Sequence, residues 1–301
     1  MKVLTVRHAT TYRYARPVTF GPHRLMLRPR DSHDLRLVAA ELTLSPPGTT
    51  RWLHDVFGNS VALVDFEHPA AELSIVSTLK LERYALPRPV FPIEPSAQNY
   101  PFVYSANDRT DLGRLLERHY PDPQELVDNW AKTFVSETPT PTYNLLSNLN
   151  FAIKRDFAYD ARDEEGTFSP MQTLQNKAGS CRDFALLFIE AVRSLGFGAR
   201  FVTGYLYDPK LDGAESDIQG AGATHAWADV YLPGAGWVEY DPTNGLIAGE
   251  NLIRVAVTRD ASQAVPISGS YTGAPEDFLG MTVDVSVTSS GVLPAAVPTP
   301  A

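Results

Sequence analysis

The sequence predicts an α+β protein in which an N-terminal antiparallel β-sandwich-like module precedes a core where one apolar helix packs on an antiparallel sheet. Three observations carry this. Residues 1 to 85 alternate with a period of two, the apolar spacing becomes three and four from about Asp111, and the short period returns at Ala199. A chain of 301 residues, 44% of them hydrophobic, suffices for two ordinary cores.

In the first module VLTVRHATTYRY, LRLVAAELTL, SVALVDFE and ELSIVSTLKLERY cluster β-branched and aromatic residues between turn signals such as Pro46-Pro47-Gly48 and Phe57-Gly58-Asn59. Residues 86–101 carry Pro87, Pro89, Pro92, Pro95 and Pro101, too many for a helix or central strand, and are read as a linker. The second module spans 102–290. Its helical stretches are DLGRLLERHY, PQELVDNWAKTFVSE and TYNLLSNLNFAIKRDFAY, with Pro or Asp at their starts. Asp160 to Gly166 is a charged loop, and Asp208 to Gly222 a Gly/Asp-rich mobile surface loop beside the site. ARFVTGYLY, THAWADVYL, GWVEYDPT, NLIRVAVTR and GMTVDVSVTSS read as strands. Residues 291–301 form a Pro/Ala-rich tail expected to be poorly ordered.

One cysteine excludes an internal disulfide and a Cys-rich zinc site, and no His, Asp or Glu cluster has metal-ligand spacing, so neither metal nor other cofactor is expected. Cytoplasmic residence is expected, because no apolar run is long enough to span a membrane and the first 14 residues alternate like a strand instead of carrying a signal peptide's apolar block. A net charge of −9 argues against nucleic-acid binding. The first 36 residues are nevertheless rich in arginine, which is read as solvated strand faces and interdomain ion pairs, with an anionic substrate subsite as the alternative.

The stretch GSCRDFALLFIEAVRSLG organises the rest. Phe184, Leu187, Phe188, Ala191, Val192 and Leu195 make the apolar stripe of a helix, Ser180 is its N-cap, Asp183 the acidic half of a capping box and Gly196 its stop. Cys181 is then the first helical residue, where unpaired N–H groups and the positive end of the helix dipole favour a thiolate. A lone cysteine is more often a small buried hydrophobe, so a catalytic reading needs partners.

A thiolate nucleophile requires a base, and the base a group to hold its ring. Of the seven histidines only His225 lies in a strand pattern with a carboxylate arriving at a fixed place. If Pro233-Gly234-Ala235 is a three-residue turn, Leu232 opposes Gly236 and Asp229 opposes Glu239. His225, Trp227 and Asp241 then share one face, with His225 and Asp241 diagonal neighbours. The backbone N–H of Cys181 is the expected oxyanion donor, and Gln172 or Gln175 a candidate second one.

GSCRDFALLFIEAVRSLGFGARFVTGYL, THAWADVYLPGAGWVEYDPTNG and, more loosely, TTYRYARPVTFGPHRLMLRPR resemble the transglutaminase-like superfamily, in its bacterial branch with an N-terminal β region. The resemblance implies a papain-like core, a Cys181-His225-Asp241 triad and acyl transfer at an amide through a thioester. It also implies a thiol protease or amidase, not a crosslinking enzyme, and association with ATP-grasp-type peptide ligases, hence an amide or isopeptide substrate.

Around that triad Trp227 and Trp237 are read either as walls of the acyl site or as core, and Tyr159 and Tyr205 as residues bordering the cleft. Asp183 is read as a structural cap, and Asp229 and Glu239 as a cross-strand pair. The leading expectation is hydrolysis of a peptide, isopeptide or other amide bond. The alternatives are transamidation, an N-acyltransferase using a thioester donor, and a non-catalytic binding module that retains the fold.

Overall fold

The first strand, β1 (Lys2–Phe20), sets the sandwich, because Leu4, Val6, His8 and Thr10 point inward while Arg7 and Arg13 alternate outward. Five more strands follow it: β2 (His23–Arg28), β3 (Leu35–Ser45), β4 (Gly48–His54), β5 (Ser60–Phe66) and β6 (Ala70–Arg83). In this computed structural model residues 2–84, 91–136, 139–161, 166–208, 210, 218–220, 222–249 and 251–292 are described. The beginning of the expected linker, most of the 208–222 loop and the tail beyond 292 lie outside the described residues. One sheet carries β1, β6 and β3, the other β2, β5 and β4. Tyr14, Val18, Phe20, Leu73 and Ile75 from the first meet Leu25, Leu27, Ala62 and Val64 from the second, which makes the expected antiparallel sandwich. Strands β2 and β4 were not expected; the buried run Leu25-Met26-Leu27 in β2, and the polar, exposed face of β4, break the alternation that marks their neighbours.

The second module begins while the chain is still leaving the first. Phe91 and Ile93 already pack on its core, and β7 (Asn99–Tyr100) pairs with β8 (Thr140–Pro141). The helix expected over 111–120 is displaced. Helix α1 (Ala106–Leu112) starts earlier because Ser105 accepts from the Asp108 N–H at 3.1 Å, and it ends at Gly113, whose φ of +46° leaves the helical region. Helices α2 (Leu126–Lys132) and α3 (Thr142–Asp156) fall inside their expected stretches. After the short β9 (Ala158–Tyr159) comes α4 (Pro170–Asn176), which was not expected although Ser169-Pro170 with Gln172 is a capping signature. The pair β10 (Ala178–Gly179) then leads into α5 (Cys181–Ser194).

Helix α5 lies on an antiparallel sheet of order β14-β13-β12-β11-β15, made of β11 (Ala199–Leu206), β12 (Thr224–Leu232), β13 (Gly236–Asp241), β14 (Leu246–Ile247) and β15 (Leu252–Thr258). Phe184, Leu187, Phe188 and Val192 of α5 meet Ala226, Ala228, Val230 and Tyr240 of the sheet. The opposite face meets the sandwich, where Tyr205, Tyr207, Ile253 and Val255 join Leu4, Val6, Met26 and Val61 in a second core. Helix, sheet and sandwich are thus three successive layers. Asn59 pins the last two together, because its side chain donates to the Val257 carbonyl at 2.6 Å and accepts from the Val257 N–H at 2.9 Å. Asn59→Ala leaves both buried backbone groups unpaired, and a loss of about 2 kcal/mol in urea unfolding is the expected result. An unchanged midpoint would remove Asn59 from the interface.

The last strands return to the first module. The strands β16 (Ile267–Ser268) and β17 (Tyr271–Thr272) pair with β2 and β1, and β18 (Phe278–Val292) covers the free edge of β1 from Lys2 to Tyr14. GMTVDVSVTSS is a strand as expected, but its neighbour is in the sandwich and not in the second module. The early arginines mostly take acidic partners: Arg7 pairs with Asp284 at 3.0 Å, Arg13 with Glu72 at 3.3 Å, Arg16 with Asp277 at 2.8 Å and Arg36 with Glu82 at 3.5 Å. Among the described residues no helix is long and apolar enough to cross a membrane, and no group of three or more His, Cys, Asp or Glu side chains could hold a metal.

Candidate active site

The start of α5 is built to hold a thiol. Asp183, fully buried, accepts from the Ser180 N–H at 2.8 Å, the Ser180 hydroxyl at 2.9 Å and the Phe168 N–H at 2.7 Å, so its role is the structural one expected. Gly179 allows that closeness, since a Cβ there would stand 2.8 Å from the Asp183 Cβ. Cys181 is the first residue of the helix, ahead of the first helical bond from the Phe184 N–H to the Ser180 carbonyl. It is 7% exposed. Its N–H therefore belongs to the free donors at the positive end of a 14-residue helix.

The register of β12 and β13 is the one a three-residue turn dictates: Leu232 faces Gly236 and Asp229 faces Glu239. That register brings His225 and Asp241 together, and the Nε2–H of His225 donates to Asp241 Oδ2 at 2.8 Å with both side chains fully buried. Asp241 also accepts from the Thr243 N–H at 3.0 Å, the Asn244 N–H at 3.3 Å and the Asn244 side-chain amide at 2.8 Å. Burial alone would raise the Asp241 carboxyl, but His225 and the Asn244 donors hold it below its ordinary value. Burial would likewise lower His225, yet the Asp241 charge and hydrogen bond, reinforced by Cys181, raise it to about 10. Nδ1 of His225 is buried with no hydrogen bond of good geometry, which leaves it as the ring nitrogen free to exchange a proton with the sulfur.

The flanking aromatics divide. Tyr159 comes to the site, held next to α5 by the parallel pairing of β9 with β10. Burial and the nearby Cys181 and Asp241 raise its phenol to about 12. Tyr205 does not border the cleft. It is sealed in the interdomain core with its hydroxyl hydrogen-bonded to His8 Nδ1 at 3.0 Å, because β11 turns that residue toward the sandwich. Trp227 is 0% exposed and packs with Val202, Leu206, Leu252 and Val257, so it walls no acyl pocket. It backs the imidazole instead, ring centroids 6.0 Å apart and planes 29° from parallel. Trp237 is half-buried on β13 under the Arg200 guanidinium, 4.1 Å from its ring centre.

Both glutamines offered as second oxyanion donors lie on α4. The side-chain oxygen of Gln172 closes the capping box of α4 by accepting from the Ser169 N–H at 2.9 Å, and Gln175 is exposed on the same short helix. Asp229 and Glu239 form the expected cross-strand pair, each bound to an arginine, Arg200 and Arg254.

The sequence reading missed Asn244. Besides holding Asp241, it accepts from the Gln219 N–H at 2.8 Å and donates to the Gln219 carbonyl at 3.2 Å. This clamp seats the neighbouring Gly220 over the imidazole. A Cβ at Gly220, whose φ is +82°, would lie 3.1 Å from His225 Nδ1 and 3.5 Å from the Tyr159 hydroxyl. The run Asp241-Pro242-Thr243-Asn244-Gly245 carries a usable signal, since an Asp followed at short range by Asn and Gly marks a turn whose N–H groups bond the carboxylate.

Comparison with known proteins identifies the family and the fold. Residues 4–82 match the bacterial transglutaminase-like N-terminal region, and residues 128–242 match the transglutaminase-like superfamily core. A Mycobacterium tuberculosis protein described as uncharacterized is 30% identical over 289 residues, covering 93% of this chain and 91% of its own length. One from Mycobacterium leprae, likewise uncharacterized, is 26% identical over 287 residues, covering 94% and 98%. The crystal structure of a candidate cysteine protease from Cytophaga hutchinsonii superposes with a TM-score of 0.70 at 20% identity, covering 97% of this chain and 93% of that one. That likeness is one of fold.

Proposed function

This chain belongs to the transglutaminase-like superfamily, and from that membership we propose that it is a thiol hydrolase cleaving a peptide, isopeptide or other amide bond. The observation that carries the reading is the buried 2.8 Å bond from His225 to Asp241, with Cys181 also acting on the ring to raise it. In the proposed cycle Cys181 Sγ attacks the carbonyl carbon while its proton resides on His225. The Cys181 N–H steadies the oxyanion, the C–N bond breaks, and His225 delivers the proton to the leaving amine. Water, deprotonated by His225, then attacks the thioester, releasing a carboxylate and restoring the thiol. Asp241 keeps the imidazole in the orientation and tautomer both steps need. Tyr159, beside the sulfur, is the residue best placed to border the acyl group.

The proposed substrate is an amide or isopeptide made by an ATP-grasp-type ligase, and the proposed place of work is the cytoplasm. Incubating the purified protein with such amides, with and without an added primary amine, tests the reaction. Release of free acid without amine is the expected result. Product formed only when amine is supplied makes the chain a transamidase. No turnover, with a thiol electrophile labelling Cys181 no faster than free cysteine, makes it a binding module.

A further inference from the structure

A cleft of about 320 Å³ opens between the sandwich and the sheet, away from α5. Four arginines line it, Arg30 and Arg83 from the sandwich side and Arg200 and Arg254 from the sheet. Three of them have carboxylate partners. Arg83 pairs with Asp34, Arg254 with Glu239 at 2.8 Å, and Arg200 with Asp229, sealed beneath it, at 2.8 Å. Arg30 differs: among the described residues its guanidinium makes no ion pair, and it donates instead to the Gly58 carbonyl at 2.7 Å. It is exposed at the mouth. The rim carboxylate Asp31 accepts the Leu37 N–H at 2.6 Å.

The paired arginines are also incompletely used. The Nε–H groups of Arg83 and Arg254 are buried without a hydrogen-bond partner, although Arg83 is only 4% exposed. A guanidinium offers five N–H donors in a planar fork that matches carboxylate and phosphate oxygens. Those two Nε–H groups are sealed from the cleft, so the fork open to a ligand is that of Arg30.

We propose that this cleft is a binding site for a small organic oxyanion, a carboxylate or phosphate, received by Arg30, the lining arginine that no carboxylate among the described residues occupies. The site is separate from the thiol. Trp227 and its apolar neighbours Val202, Leu206 and Val257 fill the sheet face adjoining His225. Glu239 and Asp241 nevertheless share a strand, about 7 Å apart, so occupancy would be felt on the strand that carries the acid. The binding inference does not depend on the reaction proposed for Cys181.

Calorimetric titration of the full chain with inorganic phosphate, and separately with succinate, at an ionic strength held constant by chloride, tests it. Saturable one-to-one binding of at least one probe is expected, and the probe that saturates identifies the chemistry. Arg30→Gln should weaken it about tenfold, and Arg30→Lys less, since the charge stays and the fork is lost. Arg155→Gln, an exposed change on α3, should leave it unaltered. Equal melting temperatures would show that the Arg30 variants stay folded. Absence of saturation with both probes overturns the proposal, as does binding unaffected by Arg30→Gln or weakened equally by Arg155→Gln.

Discussion

Cys181→Ala is expected to lower turnover by about 10⁴-fold or more, because no other group can form the acyl-enzyme once the sulfur is gone. Folding should be nearly untouched. The thiol is small, fully packed against the aromatic end of the core and makes no cap of its own, so the change should cost only about 1 kcal/mol. The two readouts separate chemistry from structure: turnover measured on an amide that the unmodified protein cleaves, and a thermal melt. Full turnover in the alanine variant would end the mechanism proposed for this site.

The second large effect belongs to Asp241→Asn, which keeps the shape and removes the charge. Burial by itself lowers His225, and only the Asp241 carboxylate, with help from Cys181, raises it to about 10. Without that charge the imidazole should become neutral near or below ordinary pH, and turnover should fall by about 10⁴-fold. The pH profile of amide turnover can follow this. In the unmodified protein the limb that needs a protonated His225 should persist until pH approaches about 10, and in the variant it should move toward neutrality. Stability carries the same signs. A raised His225 stabilises the fold fully below its unfolded value of 6.5, and that contribution fades as pH climbs toward 10. A lowered Asp241 stabilises above its ordinary 3.8, and that contribution fades as pH drops below it. Identical pH profiles for the two proteins would show that the carboxylate does not govern the ring.

The pairing of His225 with Asp241 was legible because a turn count fixes it. Three residues, Pro233 to Ala235, set Leu232 opposite Gly236, and the period of two does the rest. The position of Cys181 was legible from Ser180 and Asp183, local signals that tertiary packing had no reason to override. The neighbours of these residues were less readable. Strands β11 and β12 are buried almost continuously on both faces, so alternation does not say which way Tyr205 or Trp227 turns. The capping role of Gln172 was within reach, since Ser169, Pro170 and Gln172 together spell a helix start that engages its side-chain oxygen. Asn244 depends on a contact with Gln219, 25 residues away, which no local pattern encodes.

The pairing of β1 with β18 has a consequence for how the molecule comes into being. Residues 2–14 leave the ribosome well before residues 278–292, which hold the hydrogen-bonding partners for one of their edges. Until translation reaches that distant segment, a long strip of N–H and C=O groups stands open to any passing extended chain. Maturation of the sandwich is thereby tied to completion of the layer bearing the thiol, and a nascent chain halted between the two would be prone to aggregate.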